Sequence, residues 1–130
     1  SDGAANNQII NCDSYFNKDA TSENADGFAC KLDVGTGNSF KGCRAWQNSD
    51  DGWDGYLRPS NNVSTTIENC WSFRNGYLKT GAISGANGDG ITVEDNIATA
   101  NVGGIQASGS AMISGSVIRR NQASAAAGNF

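Results

Sequence analysis

Short apolar runs alternate with polar residues along this chain and are broken at regular intervals by Gly and Asn. Residues 9–17 (IINCDSYFN), 40–48 (FKGCRAWQN) and 67–75 (IENCWSFRN) are three versions of one nine-residue pattern. Residues 93–101 (VEDNIATAN) and 113–121 (ISGSVIRRN) are looser copies. Each copy closes on Asn, at positions 17, 48, 75, 101 and 121, with steps of 31, 27, 26 and 20 residues. No stretch keeps a 3.6-residue apolar stripe, whereas period-two alternation is frequent, so the runs predict strands. Repeats of this length cannot bury an apolar face alone and do so by stacking. The expectation is an all-β chain, a right-handed parallel β-helix solenoid of about five coils. It forms one domain over 1–130, with shorter, divergent terminal coils over 91–130.

Stacked coils bring equivalent side chains together at about 4.8 Å. Cys12, Cys43 and Cys70 then make an interior column of thiols, continued by Asn96 and Ser116. The five pattern-closing Asn residues make a ladder at a bend. Asn suits that place because it tolerates left-handed backbone and its amide can bond to the next coil; alternatively, they are turn formers without mutual bonds. Trp53 takes the place of Phe28 in the repeat and is expected in the core, with Trp46 and Trp71 in or near it. Cys30 lies off the thiol column and is free to pair with Cys12 or Cys43, or to remain a thiol.

Charge and composition narrow the functional classes. A net charge of −4 and a pI near 4.5 argue against nonspecific binding to nucleic acid. No apolar run is long enough for a membrane span. The chain opens on Ser1-Asp2-Gly3, already inside the repeat pattern, as in a mature or trimmed secreted, extracellular product. Residues 62–64 (NVS) form a glycosylation sequon, a tripeptide common by chance.

The chemistry concentrates between residues 24 and 54. Two Asp-Gly-aromatic turns, 26–28 (DGF) and 51–53 (DGW), recur about one coil apart and bring Asp26 near Asp50, Asp51 and Asp54. Four carboxylates on one surface repel each other unless a cation sits among them. Oxygen ligands in a chain with no His favour Ca²⁺ over zinc.

Residues 24–32 (NADGFACKL), 35–40 (GTGNSF) and 48–54 (NSDDGWD) together resemble the pectate lyases of polysaccharide lyase family nine. The resemblance is close from about 11 to 75 and thins beyond Gly90. It implies a right-handed parallel β-helix, catalytic Ca²⁺ held by Asp26, Asp50, Asp51 and Asp54, and β-elimination on polygalacturonate (homogalacturonan). In such a reaction the metal withdraws charge from the uronate carboxylate while a basic side chain removes the C5 proton. Family members carry a Gly-Asn-Gly-Phe-Lys-like stretch that supplies the base. Its nearest match here is 88–92 (GDGIT), with Thr92 in the place of Lys. Lys79 and Lys31 are the replacement candidates, although each has a plain alternative as a solvated lysine. Lys31 and Arg58 are candidates to contact substrate carboxylates, and Tyr56, with Trp53 as the alternative to its core place, to lie beside a sugar ring.

Two function classes follow. One is a calcium-dependent pectate lyase, for which the four Asp residues speak. The other is an inactive or structural β-helix that binds calcium, acidic polysaccharide or both, for which Thr92 speaks. A hydrolase ranks last, since it usually needs a His besides its acids. Open coil ends leave the oligomeric state as a monomer or an end-stacked dimer.

Overall fold

The computed structural model describes residues 3–56, 65–86 and 88–93 and the strands at 105–107, 117–119 and 122–123. The strands are only two to four residues long and lie in three sheets. The first holds β1 (Gln8–Ile10), β4 (Asn38–Lys41), β7 (Thr65–Glu68) and β11 (Val117–Arg119). The second holds β2 (Asp13–Tyr15), β5 (Arg44–Trp46), β8 (Trp71–Phe73) and β12 (Gln122–Ala123). The third holds β3 (Phe28–Ala29), β6 (Trp53–Asp54), β9 (Ile91–Val93) and β10 (Ile105–Ala107). Every pairing between these strands is parallel. From β1 to β9 the chain visits the three sheets in turn, which is the winding of a parallel β-helix. Each sheet is four strands deep among the described residues. No helix there is long and apolar enough to cross a membrane.

Register puts like on like. Ile9, Phe40 and Ile67 align in the first sheet, Ser14, Ala45 and Ser72 in the second, and Phe28, Trp53 and Ile91 in the third. Phe40, Ala45, Trp53, Ile67 and Ile91 are buried and, with Val34, Cys30, Cys43 and Cys70, fill the narrow bore. Strand alternation sends their neighbours outward. Trp71 is therefore 52% exposed, contrary to the core place expected of it, because Ser72 is the inward residue of β8. Trp46 stands on the same outer face, stacked between Tyr15 and Phe73.

Cys43 and Cys70 are buried as expected, and the Cys43 N–H donates to Cys70 Sγ at 3.4 Å. Cys12, expected in the same column, is instead exposed, and its thiol donates to Ile10 O at 3.3 Å. All four cysteines are free thiols. Cys30 pairs with neither Cys12 nor Cys43; its sulfur lies 3.5 Å from Thr65 Oγ1.

The later pattern copies align differently from the expectation. Val117–Arg119 pairs directly with Thr66–Glu68, and Val93 belongs to β9 in the third sheet. Val93 thus does not stack on Ile67. Asn96, Asn101, Ser116 and Asn121 lie outside the described residues.

The asparagine ladder is present over Asn17, Asn48 and Asn75. Asn17 Nδ2 donates to Asn48 Oδ1, and Asn48 Nδ2 to Asn75 Oδ1, each at 2.9 Å. Each acceptor oxygen also takes the backbone N–H of the Asn one coil back, at 3.2 Å. Left-handed backbone is not what Asn contributes here. The residues before each ladder Asn, Phe16, Gln47 and Arg74, have positive φ of 59°, 50° and 56°. For such side chains that conformation costs about 1–2 kcal/mol each. The amide bonds hold the bend in place against this cost. A second rung, Asn7 Nδ2 to Asn38 Oδ1 at 2.9 Å, secures the entry to the first sheet.

Asn48 is fully buried and makes polar contacts to Asn17, Asn75 and Ser14. Asn48→Ala is expected to lower the unfolding free energy in urea by about 2–4 kcal/mol. Asn17→Ala, at the partly exposed end of the ladder, is expected to cost about half as much.

Candidate metal centre

Three strands of the third sheet are preceded by the same dipeptide: Asp26-Gly27 before Phe28, Asp51-Gly52 before Trp53, and Asp89-Gly90 before Ile91. These turns stack. Gly27 N–H donates to Asp51 O at 2.8 Å and Phe28 N–H to Gly52 O at 2.9 Å. One coil on, Gly52 N–H donates to Asp89 O at 2.9 Å and Trp53 N–H to Gly90 O at 3.0 Å. Glycine is required because the backbones meet closely beside the asparagine ladder. A Cβ on Gly27 would come within 2.6 Å of Gly52 O and 2.8 Å of Asn48 Nδ2. A Cβ on Gly52 would overlap Ser72 Oγ and lie 2.7 Å from Asn75 Nδ2.

This stacking brings the Asp side chains into one group. Oxygens of Asp26, Asp51 and Asp54 lie within 4.8 Å of one another. Oxygens bound to a single Ca²⁺ at about 2.4 Å are at most about 4.8 Å apart, so the spacing suits that ion. Asp50, the fourth expected ligand, is not among these three, although its carboxyl feels the charges of Asp26 and Asp54. It is buried, and its Oδ1 has no hydrogen-bond partner, which leaves a desolvated acceptor ready for a cation. The donor set is carboxylate oxygen throughout, as a hard cation requires.

Lys31, just beyond β3, reaches into this group. Its Nζ donates to Asp26 Oδ2 at 2.9 Å and to Asp54 Oδ2 at 2.5 Å. Burial works against the ammonium, but the hydrogen bonds to Asp54 and Asp26 outweigh it and raise the Lys31 pKa above the ordinary lysine value. A lysine held this way stays protonated, the opposite of what proton abstraction needs. Lys79 sits on the turn after β8, exposed, with Nζ 5.2 Å from the centre of the Phe16 ring. Arg58 lies outside the described residues. Tyr56 is half-buried and its N–H donates to Asp54 Oδ1 at 2.8 Å, so its backbone orients that carboxylate. Pairing of Trp53 with Ile91 gives Thr92 the register position of Asp54, one coil on.

Asp89 is the charged neighbour of this group that the sequence reading did not single out. It is fully buried, its N–H donates to Asp51 Oδ1 at 2.7 Å, and its charge adds to the repulsion felt by Asp51. The signal was available in the third Asp-Gly pair, which follows the first two in the same phase of the repeat.

Crowding raises the carboxyl pKa values. Burial, then repulsion by Asp54, takes Asp26 to about 6 despite Lys31. Burial, then Asp26 and Asp54, takes Asp50 to about 7, and burial with Asp50, Asp54, Asp89 and Asp26 takes Asp51 to about 9. All three lie above the ordinary value of 3.8, so between about pH 4 and 9 the native chain holds more protons than the unfolded one. Its stability therefore falls as pH rises through that window. The Lys31 contribution is fully present below its ordinary value of 10.5 and stays constant there. In chelator, thermal melts from pH 4 to 9 are expected to show a falling Tm; a flat or rising profile would contradict this electrostatic account.

The sequence matches the family model described as "Pel9A-like, right handed beta helix region" over residues 1–129. It is 46% identical over 103 residues to pectate lyase L of Dickeya dadantii (strain 3937), covering 76% of this chain and 23% of that protein. Pectate lyase PEL9 of Emericella nidulans is 49% identical over 53 residues, 39% of this chain and 13% of its own. Among solved structures, pectate lyase Pel9A superposes with a TM-score of 0.59 at 35% identity, over 79% of this chain and 31% of that one. A rhamnogalacturonan lyase gives a TM-score of 0.55 at 37% identity, over 68% of this chain and 23% of that one. The chain thus spans about a quarter of the length of pectate lyase L. With the family model matched from end to end and the parallel coils in place, the chain belongs to the Pel9A-like right-handed β-helix family, that of the family nine pectate lyases.

Proposed function

We propose that this chain is the calcium-holding part of a secreted lyase that cleaves polygalacturonate by β-elimination. The observation that carries this is the convergence of Asp26, Asp51 and Asp54 oxygens within 4.8 Å on stacked coils, and the adjacent residue Asp50 has a buried Oδ1 with no hydrogen-bond partner. In this reading Asp26, Asp50, Asp51 and Asp54 are the Ca²⁺ ligands. Bound calcium supplies Lewis-acid withdrawal of charge from a uronate carboxylate, which makes the C5 proton more acidic. Asp89 N–H and Tyr56 N–H orient the Asp51 and Asp54 carboxylates for that task. The acidic protein attracts an anionic polymer only through its cations, so besides the metal its basic residues, with Arg58 the candidate by its place in the sequence after Asp54, would serve as anchoring points. In the metal-free protein Lys31 is held as an ammonium by Asp26 and Asp54, and this reading gives removal of the C5 proton to Lys79, exposed on the turn after β8. The names of the relatives, pectate lyases and a rhamnogalacturonan lyase, support a pectic polysaccharide as the substrate class.

A second reading has its own observation. Thr92 stands in β9 at the register position beside Asp54, where the family pattern has lysine, and threonine is no base. On that ground the coils bind calcium and acidic polysaccharide without turnover.

Unsaturated uronide formation from polygalacturonate, followed in the ultraviolet at alkaline pH with Ca²⁺ or with chelator, separates the two. The lyase reading expects calcium-dependent product, a loss of at least roughly a hundredfold in Asp51→Asn, and loss to background in Lys79→Met. Calcium and polymer binding by a folded protein that forms no product would establish the second reading instead.

A further inference from the structure

The position of Lys31 has a consequence for how a cation enters. Its ammonium donates to Asp26 Oδ2 and Asp54 Oδ2, on two of the three carboxylates whose oxygens cluster within 4.8 Å. The Asp26 and Asp54 side chains are only 4% and 13% exposed, and that of Lys31 is 26% exposed. The ammonium therefore fills the gap between carboxylates that have little water of their own. A divalent ion bound to the same oxygens would lie at about 2.4 Å from them, well inside the space the ammonium occupies. The two cations repel, and the shared carboxylates cannot satisfy both.

We propose that Lys31 is a built-in counter-ion of this site: it neutralises the Asp26–Asp54 pair in the metal-free protein and has to leave, toward solvent, when a divalent cation loads. This rests on the calcium reading above. Lys31 then sets the cation concentration at which the site fills and keeps the stacked Asp-Gly turns tolerable before it does. The side chain is long and about a quarter exposed, so it can withdraw by rotation about its own bonds while β3 stays paired with β6. A lysine that instead braced the carboxylates in a ligating geometry would aid metal binding, and its removal would have the opposite sign.

The test uses the whole chain, with CaCl2 as the probe. Lys31→Met keeps the stem and removes the charge. Calorimetric titration is expected to give a Ca²⁺ Kd tighter than wild type by about tenfold or more. The metal-free Tm of the variant is expected to be lower, and its rise on adding Ca²⁺ larger. In the unaltered protein, acylation of Lys31 by an amine-reactive reagent, read by peptide mass spectrometry, should speed up when Ca²⁺ is added. This second measurement decides the matter if the variant does not fold without metal. Equal or weaker Ca²⁺ binding by a folded Lys31→Met, or unchanged Lys31 reactivity in a protein that binds Ca²⁺, overturns the counter-ion role alone. Failure of both proteins to bind Ca²⁺ removes the calcium reading and this inference together.

Discussion

The column of amide bonds through Asn17, Asn48 and Asn75 is the constraint on which the rest depends. Each coil must turn sharply after its second strand, and it does so through Phe16, Gln47 and Arg74 in left-handed backbone that these side chains disfavour. The amides convert three local strains into one shared structure, because each Asn bonds both the backbone and the side chain of its neighbour. Immediately beyond lie the glycines of the Asp-Gly turns, packed so near Asn48 and Asn75 that a methyl group would not fit. The ladder thus fixes the spacing of the turns, and the turns fix the spacing of the carboxylates. Site geometry follows from the bend.

The cost of that arrangement falls on charge. Asp26, Asp50 and Asp51 are all pushed up from the ordinary carboxylate value, with burial the first cause in each case. A protein would gain stability by replacing such a group with apolar residues, as buried ionic groups generally allow. Their retention beside backbone donors that orient them is what a site, rather than a core, looks like. Only one ammonium, Lys31, is in contact with Asp26 and Asp54 among the described residues, and it balances part of the charge. A divalent ion balances more.

The outer face of the second sheet shows the same repetition put to a different use. Tyr15, Trp46 and Phe73 stack along the solenoid with nearly parallel planes, 5° and 2° apart. Their alignment is a product of register, since β2, β5 and β8 pair residue for residue. Stacking of this kind adds about 0.5–1.5 kcal/mol per pair beyond area burial. It braces the sheet that carries the ladder asparagines at its end.

The repeat itself was legible in the amino-acid order. Closing Asn residues at 17, 48 and 75 and the Asp-Gly-aromatic turns are local patterns, and strand pairing one coil apart is their direct consequence. So were the buried Trp53 and the grouping of Asp26 with Asp51 and Asp54. What the order of residues left open depends on three-dimensional neighbours. Whether a Trp faces in or out is set by strand parity, which put Trp71 outside because Ser72 turned in. Copies too loose to fix their own register were placed by pairing: Val93 joined the third sheet, and Val117–Arg119 the edge of β7. The burial of Asp89 and the capture of Lys31 by two carboxylates needed the coils to be stacked, because contact between residues 5 to 38 apart is made by folding and is not written in any single segment.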